Sequence, residues 1–197
     1  MSLSILIAVA SVIALIAGIV PYIFDVLAKR ARPNIVSFGG WTLLTVIGSA
    51  AQIAKGADLS VVVPIISSIG TGIVFLLAIR YGYTKFNLVD KISIPLALLA
   101  MALWLITNEP LTALILSVIA DGIVAIPTLV KTYRDPTSET PFPWFMFAIG
   151  SALGIAALSN FDLHNILFPI YLICINAVIG ILALRGKFIK DKTILPG

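Results

Sequence analysis

The chain has 197 residues, 60% of them hydrophobic and 11% charged, with a formal net charge of +4 and a mean hydropathy of +1.11. A water-soluble domain of that length needs far more polar surface, so composition points to a bilayer. The only cysteine, Cys174, rules out an intramolecular disulfide.

About 20 apolar helical residues cross a hydrocarbon core of about 30 Å. Apolar runs between charged or Pro/Gly breaks predict spans near 3–27, 35–54, 60–80, 92–107, 110–131, 142–159 and 164–185. The first has no Lys or Arg ahead of it and is too long for a cleaved signal, so it reads as a transmembrane helix. From Gly186 the chain turns basic and polar, predicting a tail in water or at the headgroups. With the N-terminus outside, Lys55 is the one basic side chain on the outer side; the other twelve of the 13 Lys and Arg fall inside. That bias predicts a multi-pass protein of the plasma membrane, or of a bacterial or archaeal inner membrane, with a cytoplasmic C-terminus. It also explains the basic charge without nucleic acid as a partner.

The two halves repeat. Ser11 and Pro21 in the first span correspond to Ser117 and Pro127 in the fifth, and the following loops carry Pro33 and Pro136. The second and sixth spans pair Trp41 and Gly48-Ser49-Ala50 with Trp144 and Gly150-Ser151-Ala152. The third and seventh share Pro64-Ile65 with Pro169-Ile170 and end near Arg80 and Arg185. The expected fold is all-α: a three-helix repeat over 1–85, a linker helix over 86–109, a second repeat over 110–186 and a tail over 187–197. A single linker helix makes the repeats parallel, and solute sites in such transporters sit near mid-membrane at the repeat interface.

This 3+1+3 plan resembles the SWEET sugar transporters and the wider PQ-loop proteins, which include the KDEL receptor. The resemblance covers nearly the whole chain, although the Pro-Gln pair is missing: Tyr22 follows Pro21 and Thr128 follows Pro127. It implies hinge positions at Pro21, Gly40, Pro127 and Pro143, and polar pathway positions at Thr71 and Asn176. Independently, Pro21 and Pro127 each remove a helical N–H and free the carbonyls of Ala17 and Ile123, which permits a kink or a hinge.

Asp121 is the most informative residue. It stands about eleven residues, roughly 16 Å, into its span. A carboxylate at that depth costs about 2.5–3.5 kcal/mol on insertion scales and faces a bundle interior or a cavity. No Lys, Arg or His lies at mid-span depth to pair with it, which makes it a candidate for proton coupling or for anchoring a hydroxyl or an amine. Against this stands a structural Asp held between helices. Ser117, one turn earlier, is placed to offer a hydroxyl. Thr71 and Asn176 sit at similar depth, where the plain alternative is interhelical bonding worth about 0.6 kcal/mol. Trp41 and Trp144 read as interfacial anchors, with solute stacking in the inner vestibule as the alternative. Asp25 pairs most simply with Lys29, one turn on. The single His164 and the lack of clustered metal ligands argue against an enzyme, a metal site or a cofactor.

The function expected is transport of a small neutral or cationic polar solute (sugar, amino acid or amine) by alternating access, with proton coupling through Asp121 and facilitated diffusion both open. A non-transporting receptor or scaffold of the KDEL-receptor kind is the alternative. The partners expected are a small-molecule solute and the lipid bilayer, with a homo-oligomer as a further option.

Overall fold

A computed structural model describes residues 2–54 and 62–194. Lys55 and the last three residues of the tail lie outside the described residues. The elements in order are α1 (Leu3–Leu27), α2 (Ile35–Ala54), α3 (Val62–Tyr81), α4 (Leu88–Ile106), α5 (Pro110–Arg134), a 3-10 turn (Pro136–Ser138), α6 (Pro141–Ala156) and α7 (Leu163–Ile194). The described residues contain no strand. Six of the helices are long and apolar enough to cross a membrane, which makes this an all-α, multi-pass membrane protein. The remaining one, α6, has 16 residues, about 24 Å of helix, and is shorter than the run 142–159 predicts. Helix α7 instead overruns its expected end at Arg185: its 32 residues carry the helix into the basic tail. Helix α4 starts earlier than expected because Asn87 and Asp90 form a capping box. Pro95 is therefore inside α4, and Pro169 stands inside α7.

The chain divides into two compact units, one of residues 1–32 and 128–197 and the other of residues 33–127. These cut across the sequence repeats expected at 1–85 and 110–186. Helix α1 belongs with α6 and α7, while α2 and α3 belong with α4 and most of α5.

Side-chain size explains the packing in the first unit. Along α1 the buried face is Ala14, Gly18, Tyr22 and Val26, at a strict four-residue spacing, and the opposite surface is Leu, Ile, Val and Phe. Small residues let helix backbones approach closely where lipid supplies no hydrophobic drive. Ser11 donates its hydroxyl to the Gly150 carbonyl of α6 at 2.7 Å. A Cβ on Gly18 would lie 2.5 Å from the Phe147 ring and 3.1 Å from the Pro143 carbonyl. Helix α6 also packs on α7. The 3-10 turn rests on α7 so tightly that a Cβ on Gly186 would come within 2.8 Å of the Pro136 carbonyl oxygen.

In the second unit α2 packs on α3 and α4. Ala97, Ala100 and Met101 of α4 join Ala120 and Val124 of α5 in a buried cluster, with Trp41, Leu44 and Ile123 against it. The start of α2 is fixed by Asn34, whose Oδ1 accepts from the N–H groups of Val36 and Ser37. Its Nδ2 donates to Asp90 Oδ1 at 2.8 Å, tying the first turns of α2 and α4 together. Here too a glycine permits a close approach between helices. A Cβ on Gly40 would lie 2.4 Å from Val124. Gly18→Ala and Gly40→Ala are each expected to destabilise by about 1–3 kcal/mol through overpacking, read as a lowered unfolding midpoint in SDS titrations. Gly48→Ala, at a position inside α2 with open space around it, is the matched control and should hold or raise the midpoint.

Candidate functional site

Asp121 lies near the middle of α5, and 8% of it is exposed. The Trp41 indole Nε1–H donates to its Oδ2 at 3.2 Å. Trp41 is itself held in place. It meets Phe38 edge-to-face, with ring centroids 5.1 Å apart, and it packs on the α4–α5 cluster. Its carbonyl accepts the Thr45 hydroxyl at 2.8 Å. The result is a carboxylate that accepts from an indole packed on an apolar cluster. No Lys, Arg or His occurs in α2, nor anywhere between Lys91 and Lys131. An ionised carboxylate only accepts hydrogen bonds, so this arrangement suits a group that brings donors, a positive charge or both.

The other predicted residues are placed differently. The Ser117 hydroxyl donates to the Leu114 carbonyl of its own helix at 2.7 Å; a serine in a helix readily bonds back to the preceding turn, and that is where this hydroxyl goes instead of to Asp121. Thr71 likewise bonds the Ser67 carbonyl at 2.8 Å. Asn176, buried in α7, gives its Nδ2–H to the Leu172 carbonyl at 2.7 Å. Thr71 belongs to the second unit and Asn176 to the first. Of the six solute positions expected from sequence, the structure joins Asp121 with Trp41.

Trp144 has a separate role. It is 2% exposed, so its ring is neither an interfacial anchor nor open for stacking. It meets Tyr22 and Phe147 in edge contacts and donates Nε1–H to Glu139 Oε2 at 3.2 Å. The hinge positions also divide. Pro21 and Pro127 stand inside α1 and α5. Pro143 is in the first turn of α6, where an N–H has no intrahelical acceptor, so it interrupts no bond of that helix. Gly40 is where Val124 approaches the α2 backbone.

The network around Trp144 contains side chains that sequence reasoning passed over. Glu139, just before α6, accepts from Tyr22 Oη at 3.0 Å and forms a buried ion pair with Lys131. Lys131 Nζ also donates to the Arg32 carbonyl at 2.7 Å. Counting Lys131 only among the inner basic residues hid the pair. The usable signal is a lysine still in phase with the buried face of α5, followed eight residues later by Glu139, the last acid before α6. Asp25 pairs with Arg30 at 2.6 Å rather than with Lys29, and it accepts the Thr140 hydroxyl at 2.7 Å. Helix α1 ends at Leu27 and Lys29 takes the left-handed conformation, φ 59°, so the one-turn register expected for Asp25 and Lys29 is lost.

Among the described residues no group of three or more His, Cys, Asp or Glu side chains could hold a metal ion. No family model matches the chain, and no curated protein or solved structure matches it.

Proposed function

We propose that the protein is a membrane transporter of a small polar solute, cationic or neutral, that binds at Asp121 and Trp41. The observation that carries this reading is a buried carboxylate halfway along an apolar helix, oriented by an indole, in a stretch of chain without a basic residue. Ionisable groups at that depth mark substrate, ion or proton pathways. The carboxylate disfavours an anionic solute. It fits amines, amino acids through their ammonium, and sugars through their hydroxyls, with proton coupling as a further use of the same group.

The repeat is part of the proposal. Gly18 and Val124 each lie three residues before the aligned prolines, Pro21 and Pro127, and Pro143 and Gly40 each immediately precede the aligned tryptophans. In the first unit Gly18 approaches the Pro143 carbonyl; in the second Val124 approaches Gly40. Equivalent positions thus make equivalent close approaches, which supports two parallel repeats that exchange their first helices. Both chain crossings between the units border a proline, Arg32–Pro33 and Pro127–Thr128, which favours alternating access by bending at Pro127 and Pro33. An outer N-terminus and cytoplasmic tail follow from the basic residues.

The test is thermal stability in detergent against amines, amino acids and sugars at two pH values. A solute at 100 times its dissociation constant stabilises by about 2.7 kcal/mol. A shift with one class, matched by its uptake into proteoliposomes, supports the proposal. If every class leaves the melting temperature unchanged at tens of millimolar, the reading fails and a receptor or scaffold role takes its place.

A further inference from the structure

The second unit carries an apolar groove of 320 Å³ on the side of the α4–α5 cluster. Gly39, Gly40 and Leu43 of α2 form one wall, Ile94 and Leu98 of α4 the other, and Val124 of α5 the floor. Lining residues run from Ile35 to Leu43 along α2, roughly 12 Å of helix. The groove is open along its length, because Leu43, Ile94 and Leu98 are 40%, 41% and 52% exposed. Its two ends differ. The far end, at Leu43 and Met101, is wholly apolar. The near end lies at Ile35 and Phe86, where α2 and α4 both begin and Asn34 joins them to Asp90.

The exposed charge at the near end has one sign. Lys85 precedes Phe86, and Lys91 lies in the first turn of α4, one turn before Ile94; both are exposed. The acid nearby, Asp90, is buried, with Oδ1 turned to Asn34 and Oδ2 to the Asn87 N–H. The N-terminal ends of α2 and α4 add the positive ends of two helix dipoles. A narrow apolar slot that starts at two lysines and two helix N-termini matches a molecule with a hydrocarbon chain and an anionic head. Within a membrane that description is met by an anionic phospholipid.

We infer that this groove holds one anionic phospholipid, with an acyl chain between α2 and α4 and its phosphate at Lys85 and Lys91. The site differs from annular lipid in being saturable at one molecule and selective for headgroup charge. It also touches the proposed solute site from behind, because Ala97, Met101 and Val124 both line the groove and belong to the cluster that supports Trp41.

The inference is tested by native mass spectrometry of the full chain, delipidated in mild detergent and titrated with phosphatidylglycerol or phosphatidylcholine. The expected result is one phosphatidylglycerol per chain, bound at least tenfold more tightly than phosphatidylcholine. Lys85→Gln with Lys91→Gln should bring the two lipids to equal affinity. Leu98→Trp, which fills the groove from an exposed position, should abolish the saturable adduct, whereas Leu76→Trp on the exposed face of α3 should not. Equal binding of the two lipids by the unaltered protein overturns the inference, as does unsaturable binding or charge selectivity that survives the double lysine change. Should Leu98→Trp fail to fold, the lysine pair decides alone.

Discussion

Replacing Lys131 by methionine is expected to destabilise the protein by about 3–5 kcal/mol, because it leaves the Glu139 carboxylate buried without its cation. Lys131 and Glu139 are 2% and 4% exposed, so water reaches neither. Tyr22 and Trp144 still donate to Glu139 in that variant, but two neutral donors do not replace an ammonium. Glu139→Leu strands the ammonium in the same way and removes the acceptor of both rings. The double variant Lys131→Met with Glu139→Leu should lose less than the sum of the two, since no buried charge of the pair remains. What it still lacks is an acceptor for Tyr22 and for Trp144, at about 1–3 kcal/mol for each group left unsatisfied. Unfolding midpoints in SDS titrations of the four proteins complete the cycle. Strict additivity would show that the two side chains do not stabilise one another and would refute this account of the network.

The same lysine links two otherwise separate parts of the first unit. Its Nζ reaches the Arg32 carbonyl, on the last residue before the chain crosses at Pro33, and its backbone lies one turn beyond the other crossing at Pro127. Both connections are therefore anchored at one buried ammonium.

How far the sequence carries is clearest residue by residue. The apolar runs give seven helices in the right order, because membrane burial forces every backbone group into helical bonds and leaves length and hydropathy as the main signals. Ends are less legible. The capping box at Asn87 and Asp90 starts α4 early, and α7 continues past Arg185, since neither feature depends on hydropathy. Partner choice was hidden for a different reason. The pattern at Ala14, Gly18, Tyr22 and Val26 announces a close-packed face but not which helix it meets, and the answer is α6. At the site, the depth of Asp121 could be counted from the sequence, whereas its bond to Trp41, 80 residues away, could not. Ser117 shows the converse: a hydroxyl on the right face of the right helix bonds its own backbone.

Asp121→Asn is expected to lower affinity for a cationic solute at least tenfold while leaving the protein folded and no less stable. The substitution keeps the size of the side chain and an oxygen that can accept from Trp41, and it removes only the charge. A hydrogen bond to a charged group contributes about 1.5–3 kcal/mol, which at 1.4 kcal/mol per factor of ten corresponds to roughly a 10- to 100-fold loss. Removing a buried charge from an apolar wall relieves a desolvation cost, so the melting temperature without solute should hold or rise. Trp41→Phe makes the complementary test. It keeps an aromatic ring against the α4–α5 cluster but loses the N–H that orients Asp121, so the carboxyl group is retained and is no longer fixed. Its effect on affinity should be smaller than that of Asp121→Asn, and amine and sugar should lose to similar degrees. With Asp121→Asn the two solute classes separate: an amine loses its counter-charge, whereas a sugar keeps a neutral acceptor and loses less. Proteoliposome uptake and thermal shifts for both variants thus distinguish the site from its chemistry. Unchanged uptake in both variants places the solute elsewhere, whereas equal losses for amine and sugar in Asp121→Asn keep the site and remove its preference for positive charge.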